Sequence, residues 1–209
     1  MMEPEPGRLA PPAPARAGGC LPARAAVERL WPSARGAVEA HYLRLSPADR
    51  RLRFHGATGD AAIAMHMERI DWRLGAVLGV WEEGRLVAVA ELSRPTGRPR
   101  MAELALSVED GARRRGLGAL LMRAALAAAR NRGARRVVLL WLPENRALAA
   151  LAMKFGAKPS FADGAIEGVV KTGWPDFLSL TEEAAFDAGG LMRAALAFAA
   201  PRPGRAQAA

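Results

Sequence analysis

The residue types best suited to chemistry lie close together near the middle of the chain. A single carboxylate, Glu103, interrupts the otherwise apolar stretch Met101 to Val108. Shortly after it comes Arg113-Arg114-Arg115-Gly116-Leu117-Gly118, followed by the apolar run Ala119 to Ala129. A loop of that kind attracts anions for two reasons. Glycines let a ligand approach the backbone closely, and the unpaired amides of a first helical turn, aligned with the helix dipole, favour negative charge. The pattern is a phosphate cradle, and its details narrow the kind. A Walker loop ends in Gly-Lys-Ser/Thr, whereas Gly118 is followed by Ala119 and Leu120. A dinucleotide fingerprint needs a third glycine and a later carboxylate, whereas position 121 is leucine and the next apolar run ends without one. Glu103 is costly to bury without a task or a partner. It can accept a proton, or it can pair with an arginine at the sheet surface. Glu91, in the preceding apolar run, is the second candidate.

The elements that must hold these residues follow from periodicity and punctuation. Met101 to Val108 lacks turn residues and reads as a buried strand. Leu117, Leu120, Leu121, Ala124, Ala125 and Ala128 recur at helical spacing, and Gly133 supplies a left-handed stop after Arg132. Upstream, Ala25 to Leu30 forms a first strand and Ser33 caps a helix through Leu45. Ser46, with Pro47 at the first helical position, starts a second helix, and Ala61 to Ile70 a third. Ala76 to Trp81 and Leu86 to Ser93 form a hairpin through Glu82, Glu83, Gly84 and Arg85. Downstream come a strand at Val137 to Leu142, a turn at Pro143-Glu144-Asn145 and a helix at Arg146 to Phe155 stopped by Gly156. A closing hairpin turns at Asp163-Gly164, and Thr181 to Ala199 reads as a helix broken near Gly189-Gly190.

Composition bounds the class. With 209 residues, 51% hydrophobic and 24% charged, the chain is globular. The expected organisation is a disordered, proline-rich extension over 1–22, one domain over 23–175, and an appended helix with a loose tail over 176–209. No apolar run reaches the roughly twenty residues of a membrane span. The first residues carry acids and prolines rather than a signal peptide's basic start, so a cytoplasmic protein is expected. Cys20 is the only cysteine, which excludes an intramolecular disulfide. His41, His55 and His66 lack metal-ligand spacing, so no metal site is expected. The net charge of +9 comes almost entirely from arginine; lysine occurs only at 154, 158 and 171. With abundant Ala, Gly and Pro, that suits a codon bias at least as well as a nucleic-acid stripe, and nucleic-acid binding is not the expected role. A basic surface equally attracts a polyphosphate coenzyme.

The loop Arg113 to Gly118, in the form Arg-x-x-Gly-x-Gly, resembles the pyrophosphate loop of the GNAT acyltransferase superfamily. The order of elements is also that of the GNAT fold: α+β, with a mixed, mostly antiparallel central sheet, helices on both faces, and strands splayed at the coenzyme A site. The resemblance covers Ala25 to Thr172 and is strongest from Ala102 to Gly156, where Glu103, the loop, Asn145 and Leu151-Ala152-Met153-Lys154-Phe155-Gly156-Ala157 keep the family's order. Leu43 to Phe54, with Arg50 and Arg53, is similar to a segment of the GNAT domains of bacterial Pat-type protein lysine acetyltransferases; taken alone it is a helix with one apolar face and solvated arginines.

The resemblance implies an acetyl-CoA-dependent N-acetyltransferase acting on a primary amine, either a small molecule or a protein lysine, with a homodimer left open. Glu103 would be the general base, working through water. Backbone groups of Leu106, Ser107 and Val108 would pair with the pantetheine arm. Amides of Arg113, Arg114, Arg115, Gly116, Leu117, Gly118 and Ala119 would hold the diphosphate, with charge from the guanidiniums of Arg113 and Arg114. Asn145 would stand beside the pantetheine, although it could equally be a helix cap. Many members protonate the leaving thiolate with a tyrosine seven residues later; here that position is Ala152, and the only tyrosine is Tyr42. Water could replace it, the thiolate could leave unaided, or transfer could be lost. The alternative is therefore a catalytically silent acyl-CoA-binding or sensor module.

Overall fold

In a computed structural model, residues 26–162 and 164–199 are described. The proposed extension over 1–22 with Cys20, the tail from Pro201, and Asp163 of the closing turn lie outside them. Seven strands form one sheet in the order β1-β2-β3-β4-β5-β7-β6. They are β1 (Val27–Leu30), β2 (Ala76–Glu82), β3 (Arg85–Ser93), β4 (Met101–Val108), β5 (Arg136–Trp141), β6 (Lys158–Ala162) and β7 (Ala165–Lys171). Every pairing is antiparallel except β4 with β5. The helices are α1 (Arg35–Arg44), α2 (Pro47–Phe54), α3 (Asp60–Arg69), α4 (Leu117–Asn131), α5 (Arg146–Lys154) and α6 (Phe177–Ala199). This is the α+β architecture expected, with one addition: Ser33 lies in a short 3-10 turn, Pro32–Ala34, before α1 begins.

Period-two alternation sends side chains of each strand to two separate cores. On one face Val77 and Val89 pack with Val38 and Tyr42 of α1 and with Ile63 and Met67 of α3. On the other, Leu78, Ala90 and Leu104 pack with Leu121, Ala125 and Ala128 of α4 and Ala152 of α5. Small alanines let α4 lie close to the sheet. The hairpin between β2 and β3 turns on Glu83 and Gly84, both at positive φ, the backbone shape that matches strand twist.

Two elements depart from expectation. α6 is one continuous helix of 23 residues, unbroken at Gly189-Gly190. The glycines mark a close approach instead, since a Cβ at Gly190 would overlap the carbonyl oxygen of Arg29 in β1. Arg193 then pairs with Glu28 at 2.6 Å, and Arg29 lies near Glu183 and Asp187. Two of the three arginines of α2, Arg50 and Arg53, are not solvated either. Arg50 bonds the carbonyls of Leu43 and Leu45 and pairs with Asp60, tying α1, α2 and α3 together, while Arg53 is buried against Glu91.

The sheet has an internal opening. β4 and β5 pair only over Met101–Glu103 with Arg136–Val138 and then part. β4 meanwhile stays paired to β3 up to Val108, and the Glu109 amide bonds the Val87 carbonyl at 2.9 Å. Antiparallel ladders alternate, so Glu103, Ala105 and Ser107 turn their backbone groups to β3. Leu106 and Val108 turn theirs to the side that β5 has left.

Candidate active site

A cleft of about 760 Å³ lies in that opening, between the end of β4, the loop before α4, and α2 and α5. A second cleft of about 590 Å³ runs beside the first half of β4, under α2 and α3. The two share Leu52, Arg53, Leu106 and Leu148, so they meet at Leu106.

The loop into α4 is shaped by left-handed residues, Arg114 at φ 60° and Gly116 at φ 82°. Gly116 is the N-cap and no side chain caps the helix, which leaves the first-turn amides of Leu117, Gly118 and Ala119 without side-chain acceptors. The three arginines divide their work. Arg113 pairs with Asp49 at 2.5 Å and Asp110 at 3.3 Å and donates from Nε to the Val108 carbonyl at 3.1 Å. Arg115 pairs with Glu82 at 2.8 Å. Arg114 is exposed, lines the cleft, and has no ion-pair partner among the described residues. The guanidinium of Arg113 is thus committed to the fold, and Arg114 carries the available charge. An uncapped helix start, a left-handed bend and one unpaired guanidinium suit a diphosphate.

Of the three β4 residues proposed to pair with a pantetheine arm, Leu106 and Val108 face the gap, and the Val108 carbonyl already accepts from Arg113. Ser107 does not: its backbone faces β3 and its hydroxyl lies 2.8 Å from His41 Nε2. His41 is fully buried, with Nδ1 3.2 Å from the Leu86 carbonyl and 3.3 Å from Glu109. Burial lowers its pKa to about 4, so at neutral pH Nδ1–H donates and Nε2 accepts from Ser107. Asn145 caps α5, its Oδ1 accepting from the Leu148 amide at 3.1 Å, and also lines the first cleft.

The carboxylates of the second cleft have opposite environments. Glu103 is exposed, against the expectation of a buried charge, because β5 turns away beside it. Among the described residues it makes no ion pair, so the pairing with an arginine weighed for it is not seen. Glu91 lies on the same sheet face, one register step along, opposite Ala105. It accepts from Arg53 at 2.7 Å, from His66 at 2.9 Å and from the Tyr42 hydroxyl. Burial alone would raise its pKa, but Arg53, His66 and Tyr42 outweigh that and hold it at about 2. A carboxylate so held is a poor base, which argues against Glu91 as a proton acceptor. Tyr42 is wholly buried, and burial with the Glu91 charge pushes its phenol pKa up. Ala152 is buried in the core beneath α5, so that position does not face the cleft. Sequence reasoning missed the Arg53–Glu91–His66–Tyr42 cluster and the Ser107–His41–Glu109 chain. The lone acid on an apolar strand, Glu91, was the signal for the first.

The sequence model of the acetyltransferase (GNAT) family matches residues 41–157, more than half of the chain. This chain is a member of the GNAT acetyltransferase family. The family's co-substrate is acetyl-CoA, and the loop into α4 and the gap beside β4 fit it. Solved structures agree on the fold. The GNAT domain of S. lividans PAT superposes on this GNAT protein with a TM-score of 0.61 at 22% identity, covering 69% of this chain and 89% of that one. A GNAT-family acetyltransferase from Streptococcus pneumoniae gives 0.56 at 14% identity over 71% and 99%. A cAMP-binding acyltransferase from Mycobacterium smegmatis gives 0.53 at 22% identity, over 80% of this chain but only 51% of that one. No protein of curated function matches this GNAT protein in sequence. Among the described residues, no helix is long and apolar enough to cross a membrane.

Proposed function

We propose that this GNAT protein transfers the acetyl group of acetyl-CoA directly to a primary amine, a protein lysine being the favoured acceptor, with Glu103 as the general base. The observation that carries the reading is the meeting of two clefts at Leu106, one with an anion-binding loop and the other with an exposed, unpaired carboxylate. A lysine amine with a pKa near 10.4 costs about 4.6 kcal/mol to deprotonate at pH 7. Glu103 takes that proton through a water, and general-base help of this kind contributes roughly 10²–10⁴-fold. The neutral amine attacks the thioester carbonyl, whose developing charge is met by the Leu106 amide. The attacking nitrogen gives its second proton to water, and the sulfur leaves as thiolate and takes a proton from that water. The amides of Leu117 to Ala119 with Arg114 hold the diphosphate, and Asn145, besides capping α5, offers its side-chain amide to the pantetheine.

A second reading, a silent acyl-CoA-binding or sensor module, is favoured by one observation: Ala152 and Tyr42 are both buried, so neither position supplies an acid to the thiolate. The test is Glu103→Gln, followed by acetyl-CoA binding and by turnover on a panel of amines and lysine peptides. Turnover should fall at least about 100-fold with binding unchanged. Equal turnover removes Glu103 from the chemistry, and no turnover on any amine with wild type supports the silent module.

A further inference from the structure

Many arginines among the described residues pair with a carboxylate, but a group at one end of the sheet does not. Arg98, Arg100, Arg135 and Arg136 line a cleft of about 470 Å³ together with Pro99 and Met101, and no acid lines it. Arg135 is held by the Gly173 carbonyl at 2.7 Å and stacks over Trp174. Arg98 touches only the Met101 sulfur at 3.6 Å. Arg100 and Arg136 are exposed and have no ion-pair partner among the described residues. Gathering like charges costs energy that nothing in the cleft offsets. The backbone beneath them is fixed rather than loose: the amides of Arg135 and Arg136 bond the Arg100 carbonyl at 2.7 and 3.2 Å, Met101 bonds Arg98, and Arg94 clasps Pro99 and Arg132.

The position matters as much as the charge. Met101 stands two residues before Glu103 on β4 and opposite Arg136, while Val138 is opposite Glu103. At about 3.3 Å per residue, the backbone of Arg136 lies roughly 7 Å along the strands from that of Glu103. The cleft that contains Glu103 reaches Arg94, Pro95 and Thr96 of the same loop. A chain whose lysine lies at Glu103 would therefore lay its neighbouring residues across the guanidiniums.

We propose that this arginine cleft binds acidic side chains two to five residues from the acceptor lysine, so that the protein selects lysines in acidic polypeptide segments. The inference rests on the reading of a lysine acceptor. A nucleic-acid strand fits less well. The other dense arginine cluster, at 113–115, is largely committed to Asp49, Asp110 and Glu82, and Glu103 would repel a phosphate backbone beside it.

The test uses the full chain and two peptides, one with glutamates flanking a central lysine at positions two to five and one with glutamines there. Binding is measured by fluorescence anisotropy and acetylation by kcat/KM, for wild type and for Arg100→Gln with Arg136→Gln. The acidic peptide should bind and react roughly five- to tenfold better than its neutral twin. The gain should appear in KM, shrink in 0.5 M salt, and vanish in the double variant, whose turnover of the neutral peptide is unchanged. Equal binding of the two peptides by wild type overturns the proposal while leaving the acetyltransferase reading intact. Tighter binding of an equally charged DNA oligomer, lost in the double variant, overturns it in favour of a phosphate polymer. Selective binding of the acidic peptide with no acetylation upholds the cleft and sinks the lysine-acceptor reading instead.

Discussion

Replacing Glu91 by glutamine separates it from Glu103, in the same cleft, by their physics. The side chain of Glu91 is 12% exposed and that of Arg53 8%, at 2.7 Å, so Glu91→Gln leaves a guanidinium buried without its counter-charge. Breaking such a pair from one side costs about 3–5 kcal/mol. Linkage gives an independent figure. A carboxylate moved from 4.5 to about 2 on folding contributes roughly 3 kcal/mol at neutral pH. Because the folded pKa is the lower one, that stability is complete above pH 4.5 and disappears as pH falls from 4.5 towards 2. Urea unfolding at pH 7 should therefore show Glu91→Gln less stable by roughly 3 kcal/mol, with the melting temperature down by roughly 10 °C. The difference should close in acid. Turnover per folded molecule should stay within about threefold of wild type, since a carboxylate held this far down takes no part in proton abstraction. A stability difference below about 1 kcal/mol, the value of an exposed pair, would refute the buried-pair reasoning. So would a turnover loss as large as that of Glu103→Gln.

Three other outcomes follow from the same coordinates. Arg114→Gln should weaken acetyl-CoA binding roughly three- to tenfold, measured by calorimetry, with little change in melting temperature; Arg115→Gln, whose side chain is spent on Glu82, should leave that affinity unchanged. Gly190→Ala should destabilise by about 1–3 kcal/mol in urea unfolding, because α6 must back away from the Arg29 carbonyl. His41, held neutral by burial at about 4, has a folded pKa below its unfolded value of 6.5, so the unfolded state binds more protons between those pH values. Stability should accordingly decline as pH falls from 6.5 to 4, measured by thermal melts, and His41→Gln should flatten that stretch of the curve.

The local rules of the chain were legible where one residue fixes one backbone feature. Ser46 with Pro47 starts α2 where its hydroxyl accepts the Asp49 amide, Glu83-Gly84 turns the first hairpin, and the Arg-Gly loop opens α4. What escaped was anything decided by a partner far along the chain. Nothing near Arg113 says that Asp49 will claim it, and Glu91 looks like Glu103 until Arg53 and His66 arrive from α2 and α3. Gly189-Gly190 was misread for a related reason. A glycine pair breaks a helix on local propensity, but in α6 its value is the missing Cβ against β1, a tertiary fact that overrides propensity. The exposure of Glu103 likewise depends on where β5 departs, which no residue in β4 encodes.

The early parting of β4 from β5 also has a dynamic signature. Along the centre of a seven-stranded sheet, amide protons ordinarily exchange with solvent only through large openings. In β4 they should instead alternate: Ala105 and Ser107, bonded to β3, exchange slowly, while Leu106, facing the seam, trades its proton quickly with water although it lies mid-strand. The middle of this sheet thus behaves on one side like a rim.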